Sequence, residues 1–252
     1  MSLVRPQAAE QRDAVVPLTP ETVERVRQAM LNPQRREVAA NSRHRRYTLP
    51  APGDPQTRQR DALIVSMLAY SGLRPGELRA LRWGDVGENV ITSSAPRTRM
   101  ARSSRPRQAN AANQVRLLPA LARDLREYKL AAGRPPEDSL ILPGENGEPW
   151  TNTDWKRWRE DRWTHACRAA GLDPIPRPHD LRHSFASLLL ASGRQPIYVS
   201  RQLGPSVSVL LRTYAHLLDD EGLQVDADRE IETARSRYVP AYVRKERIGG
   251  TA

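Results

Sequence analysis

The sequence predicts a mainly α domain with one small antiparallel β-sheet, an α+β arrangement, and three observations carry that prediction. Apolar residues recur at helical spacing in most of the runs that contain them, as with Leu63, Ile64, Met67, Leu68 and Tyr70, or Leu121, Leu125 and Tyr128. Strand texture is confined to two short stretches, 83–92 with Val86, Val90, Ile91 and Thr92, and 114–118. Pro and Gly stand at the ends of helical runs: Pro20, Pro75 and Pro178 at starts, Gly72 and Gly193 at stops. A chain of 252 residues suffices for one large or two small domains with a proper core.

In order, residues 1–17 show no apolar periodicity and read as a flexible lead-in. Thr19 is then an N-cap, Pro20 opens a helix, and Val23, Val26 and Met30 form its apolar stripe. Residues 32–57 are polar, with Pro33, Pro50, Pro52 and Pro55 and the run Arg43-His44-Arg45-Arg46, and are expected to form a long basic loop. A helix over 58–71 closes at Gly72, and Pro75 starts another just after Arg74. A cation at a helix N-terminus opposes the macrodipole, so something negative belongs beside Arg74. Glu77 answers that, and so does a phosphate held jointly by Arg74 and the helix end.

The two strands flank 95–113, an Arg, Ser, Asn and Ala stretch with little to bury, expected to be an extended hairpin loop. Residues 119–131 are helical, 144–147 turn, and 153–170 form a helix carrying Trp155, Trp158, Trp163 and Cys167. Tryptophans can stack on bases, but this spacing assigns them to the core. A lone Cys167 excludes an intramolecular disulfide. Phe185, Leu188, Leu189 and Leu190 mark a helix that begins near Pro178, and 195–214 reads as two short helices around Gly204. Residues 221–237 are polar and weakly amphipathic, and the tail to 252 is expected to be loose unless a partner holds it.

Forty Lys and Arg against 29 Asp and Glu give a formal charge of +11, which favours a polyanionic partner: nucleic acid before an anionic membrane surface. Lysine is confined to Lys129, Lys156 and Lys245. Such Arg bias also arises from coding composition, so the position of each arginine matters more than the count. No run approaches the ~20 apolar residues of a membrane span, and the N-terminus has no secretory core.

The stretch richest in chemistry is Pro178-His179-Asp180-Leu181-Arg182-His183. His179 and Arg182 share one face of a first helical turn, where unpaired backbone N–H groups, a guanidinium fork and a titrating imidazole suit a phosphate. Tyr214, a possible nucleophile, follows about one helix later. His183 is expected on the Phe185 side as a hydrogen-bonded core histidine. His179 and His183 have zinc-ligand spacing but neither a metalloprotease Glu after His179 nor a third ligand, so no metal is expected.

Ser71-Gly72-Leu73-Arg74-Pro75-Gly76-Glu77-Leu78, Leu81-Arg82-Trp83-Gly84-Asp85-Val86, His179-Asp180-Leu181-Arg182-His183, Leu203-Gly204 and Tyr214-Ala215-His216, in that order, resemble the tyrosine recombinases, or phage integrases. The resemblance covers roughly residues 18–220, the family's catalytic domain. It implies strand cleavage without metal or cofactor: Arg74 and Arg182 hold the scissile phosphate, Tyr214 attacks, the 5′ hydroxyl leaves, and a 3′-phosphotyrosyl link keeps the bond energy for rejoining. Fixed guanidinium forks suit the added charge of the phosphorane. A phenol of pKa about 10 needs a base, for which His179 is the candidate, and Glu77 braces the site.

Two departures from the family pattern fall on the chemistry. The hairpin has no Lys to protonate the leaving oxygen; Arg97 stands near its place, and a guanidinium scarcely releases a proton. Pro205 replaces the His or Trp that donates to the phosphate. One lost donor costs about 3 kcal/mol, and a lost general acid about 10²–10⁴-fold in rate. The resemblance further implies duplex DNA as partner, gripped through Arg43, Arg45, Arg46, Arg99 and Arg102 with salt-sensitive affinity. It also implies a homo-oligomer assembled on DNA, a tail over 221–252 docking on a neighbouring protomer, and a cytoplasmic location, at the bacterial nucleoid or phage-encoded. The rival reading takes 195–214 as a helix-turn-helix and the protein as a DNA-binding regulator or inactive relative.

Overall fold

The computed structural model describes residues 17–33, 54–93, 113–144, 147–214 and 226–238. Its centre is α2 (Pro55–Ser71), buried on every side from Asp61 to Ser71, as a helix without a polar face must be. Around it pack α1 (Pro20–Leu31), α4 (Pro119–Ala131) and α7 (Asp180–Ala191). Val26, Ile64, Leu68, Leu121, Leu181 and Ala186 are sealed from solvent where these helices meet. The sheet is a two-stranded antiparallel hairpin, β1 (Val90–Ser93) with β2 (Asn113–Arg116), in the register Val90 to Arg116 and Ile91 to Val115.

Local signals set most boundaries. Thr19 caps α1 by accepting the Thr22 N–H at 3.2 Å. The basic loop expected to reach residue 57 is shorter, because Asp54 accepts the Thr57 N–H at 2.9 Å and Pro55 opens α2. The first strand is also shorter than expected. Trp83–Asp85 is a 3-10 turn, bound by the Asp85 carboxylate to the Arg82 N–H at 2.8 Å. The Trp-bearing helix starts at Asn152 and is broken by a π-helical turn, giving α5 (Asn152–Trp158), the turn Arg159–Trp163, and α6 (Thr164–Ala169). Trp150, Trp158 and Trp163 are buried and Trp155 stacks on Trp158 at 4.9 Å between centroids, so these rings are core. Beyond α7 come α8 (Pro196–Leu203) and α9 (Val207–Tyr214).

The C-terminal region departs most from expectation. Ala227–Ser236 is a helix, α10, capped by Asp226 and packed on α1 and α4 of its own chain. Its anchor is Arg235, buried among these helices, whose guanidinium donates to Asp124, to Ser66 Oγ at 3.0 Å and to the Ala120 carbonyl at 2.9 Å. Arg27 reaches the same Asp124 at 3.0 Å and Glu24 at 2.9 Å. Burial alone would raise the Asp124 carboxyl, but the Arg235 bonds and the charges of Arg27 and Arg235 hold it below the usual carboxylate range. Arg116 to Asp228 at 2.8 Å, Arg123 to Glu232 at 3.3 Å and Arg237 to Glu21 at 2.7 Å are outer pairs. Exposed pairs of that kind contribute little; the buried one decides.

Arg235→Met therefore strips Asp124 of its closest cation and is expected to destabilise the fold. Residual pairing to Arg27 keeps the loss near ~3 kcal/mol in urea unfolding, with faster amide exchange across α10.

Candidate active site

Three chain segments far apart in sequence meet at the end of α2. There Gly72 takes the left-handed conformation at φ +67, and a Cβ on it would collide with Leu203 and press on Phe185 at 3.1 Å. The chain turns through buried Leu73 to Arg74 and into α3 (Pro75–Ala80). Glu77 accepts the Arg74 backbone N–H at 2.8 Å and its guanidinium at 2.9 Å. Of the two partners left open for Arg74, Glu77 is the one in contact, and the Arg74 side chain is still 48% exposed.

Arg182 lies in the first turn of α7 and is buried, 7% exposed. It donates to the Gly72 carbonyl on one side and the Leu203 carbonyl on the other. Both acceptors are neutral, and among the described residues it forms no ion pair. Burial pushes its pKa down to about 10, with the Arg74 charge acting the same way and Glu77 and Tyr214 opposing. A desolvated cation without a carboxylate is an electrostatic debt that an incoming anion can cancel.

α9 ends at Tyr214, buried with its hydroxyl 2.5 Å from His183 Nδ1. Burial pushes the phenol up to about 12, with Arg182 opposing. His179 is the residue just before α7, and its ring meets His183 edge-on at 5.1 Å between centroids. Burial lowers both imidazoles, helped by Arg182 and Arg177 and opposed by Asp180, with His183 adding to the effect on His179. Asp180 itself accepts the Arg177 N–H at 2.7 Å and its guanidinium at 2.9 Å. At the end of α8, Gly204 is left-handed at φ +82, and Ser200 Oγ donates to the Pro205 carbonyl at 2.6 Å. The position after Leu203-Gly204 is thus pinned by its carbonyl and offers no N–H.

Arg74, Glu77, His179, Arg182, His183, Pro205 and Tyr214 therefore belong to one neighbourhood, tied by these bonds and by the charges acting on Arg182. One expectation is corrected. His183 is hydrogen-bonded as expected, but it is half-buried and its partner is Tyr214, so the imidazole on the phenol is not that of His179. A signal was present: His183 lies one helical turn after His179, on the same face. The Gly72 and Leu203 carbonyls and Ser200 went unseen because backbone acceptors leave no mark in residue type. Arg43, Arg45, Arg46, Arg97, Arg99, Arg102 and His216 lie outside the described residues.

Against known proteins, the sequence model of the phage integrase family matches residues 50–221. The chain belongs to the phage integrase family. Among its tyrosine recombinase relatives, a tyrosine recombinase of Pseudothermotoga lettingae is 31% identical over 163 residues, covering 65% of this chain and 51% of that one. The tyrosine recombinase XerD of Pseudomonas putida is 32% identical over 161 residues, covering 63% and 50%. The chain spans about half the length of these curated relatives. The fold is that of solved recombinases: XerA matches with a TM-score of 0.55 at 20% identity over 95% of this chain and 68% of its own. XerH bound to palindromic difH, a post-cleavage complex, matches at 0.56 and 19% over 91% and 55%.

Two stability measurements check this geometry. Gly72→Ala combines a left-handed backbone with a clash at Leu203 and is expected to cost about 2–4 kcal/mol in urea unfolding. His179 and His183 have lowered folded-state pKa values, so their contribution is complete above the unfolded value of 6.5 and lost as pH falls through the folded values. Unfolding free energy should fall as pH is lowered from 7.5 into that window, and by less in a His179→Gln, His183→Gln variant.

Proposed function

We propose that residues 18–220 are the catalytic domain of a site-specific DNA recombinase that cuts and rejoins duplex DNA through a 3′-phosphotyrosyl intermediate. The observation that carries this is Arg182, a buried cation bonded to neutral carbonyls and, among the described residues, in no ion pair, one residue before the histidine bonded to the Tyr214 hydroxyl. A phosphodiester supplies the negative charge that Arg182 lacks. Arg74, braced by Glu77 and half open to solvent, takes the same phosphate from the α3 side.

Tyr214 then attacks phosphorus, the 5′ oxygen leaves, and the guanidinium pair stabilises the charge gathering on the equatorial oxygens. Rejoining is the reverse. His179, just ahead of α7, faces the same phosphate as a hydrogen-bond partner. The pinned Pro205 supplies no donor where relatives have one, and Arg97 offers charge without a labile proton, so cleavage is slow for the family. Names such as XerD and XerH, with DNA-bound relatives, support double-stranded DNA as the substrate. On it the chain works as a homo-oligomer in the cytoplasm, gripping the backbone with Arg43, Arg45, Arg46, Arg99 and Arg102; within the tail over 221–252, α10 packs on its own chain, and any reach to a neighbouring protomer falls to the residues after it.

A duplex carrying a nick beside the cleavage point traps the intermediate. Wild-type protein is expected to form a covalent protein–DNA band under denaturing conditions, and Tyr214→Phe to abolish it with affinity nearly unchanged. Binding without any covalent band from wild type would favour the rival reading, a DNA-binding regulator, for which Pro205 is the supporting feature.

A further inference from the structure

We infer that His183, not His179, takes the Tyr214 proton during strand cleavage. This assignment rests on Tyr214 being the nucleophile.

The geometry is direct. His183 Nδ1 is 2.5 Å from Tyr214 Oη, and the two rings lie 6.0 Å apart at 48°. A contact that short between a phenol and an imidazole is a strong hydrogen bond along which a proton can pass. His179 makes its ring contact with His183, edge-on, and has no hydrogen bond to the phenol. The buried phenol is un-ionised at neutral pH, and the proposal requires the tautomer in which its O–H donates to Nδ1 and the His183 proton sits on Nε2.

The surroundings keep His183 in its basic form. On and before α7 it is faced by Arg177, His179, Asp180 and Arg182, and from α9 by Tyr214. Burial and the two arginines favour neutral imidazole, and only Asp180 opposes them. A neutral base already bonded to the nucleophile's proton needs no rearrangement before attack.

The step balances as follows. The Tyr214 O–H bond breaks, its proton goes to His183 Nδ1, and the phenolic oxygen forms a bond to phosphorus. The P–O5′ bond breaks, its electron pair stays on the 5′ oxygen, and that oxygen takes a proton from water, leaving hydroxide. On rejoining, the 5′ hydroxyl returns its proton to hydroxide as its oxygen bonds phosphorus, the phosphotyrosyl P–O bond breaks, and imidazolium returns its proton to the Tyr214 oxygen.

The test is single-turnover cleavage of the nicked duplex against pH, in wild type, His183→Asn and His179→Asn. Asparagine at 183 keeps a polar atom near the Nδ1 position and removes the basicity. Wild-type rate should rise with pH through the lowered His183 pKa and level off. His183→Asn should be about 10²–10⁴-fold slower near neutrality, and its rate should keep climbing with pH as phenolate accumulates. A substrate with a 5′-bridging sulfur, whose leaving group needs no acid, should not rescue it.

An unchanged rate and profile in His183→Asn, rescue by the sulfur substrate, or loss of the wild-type limb in His179→Asn instead would each overturn the assignment while leaving Tyr214 as nucleophile. Absence of any adduct from wild type would overturn both readings. Independently of turnover, ¹⁵N-histidine NMR of the wild-type chain should show His183 protonated on Nε2, with a higher pKa in Tyr214→Phe. An Nδ1-protonated His183 would exclude it as proton acceptor whatever the folding of the variants.

Discussion

The guanidinium of Arg182 is the strut on which the site depends. It joins carbonyls contributed by Gly72, 110 residues before it, and Leu203, 21 residues after it. The turn that leads into α3, the start of α7 and the end of α8 are thereby fixed relative to one another. Gly72 permits this because only a residue without a side chain fits against Leu203 in the left-handed conformation required there. The same guanidinium keeps donors to spare, since two of its five N–H groups serve those carbonyls.

A second buried arginine shows what distinguishes scaffold from site. Arg235 is as inaccessible as Arg182 but is matched by Asp124, with Ser66, Glu24 and Arg27 completing the cluster. Burial works against its charge, yet Asp124 prevails and its pKa is raised. Arg182 is bonded to carbonyl dipoles, burial outweighs the opposing charge of Glu77, and its pKa falls. One cation is neutralised within the protein and fastens a helix; in the proposed function the other takes an anion from outside. Among buried charges, the presence or absence of a countercharge separates the two roles.

The Tyr214–His183 pair extends this logic to the proposed nucleophile. Burial disfavours charge on both partners, holding a neutral phenol against a neutral imidazole. In the proposed reaction, a negatively charged substrate beside Arg182 and Arg74 shifts the balance toward proton transfer by stabilising the charge that develops. Ser200 pins the Pro205 carbonyl, and Pro205 has no N–H of its own to offer.

The sequence by itself determined the helical class, the hairpin, the caps at Thr19 and Pro75, the stop at Gly72 and the order of the motif residues, because periodicity and turn chemistry act over a few neighbours. It also misjudged the start of α2, since Asp54-Pro55 is a cap written inside a Pro-rich stretch, and the break in the Trp helix, where a π turn leaves the apolar spacing nearly intact. Only the tertiary structure decided which histidine meets Tyr214, which carbonyls hold Arg182, and that α10 seats on its own chain. Those contacts join groups 21 to 169 residues apart, some of them backbone oxygens common to every residue. A chain reveals its local geometry through residue type; which distant groups share a pocket is settled by packing alone.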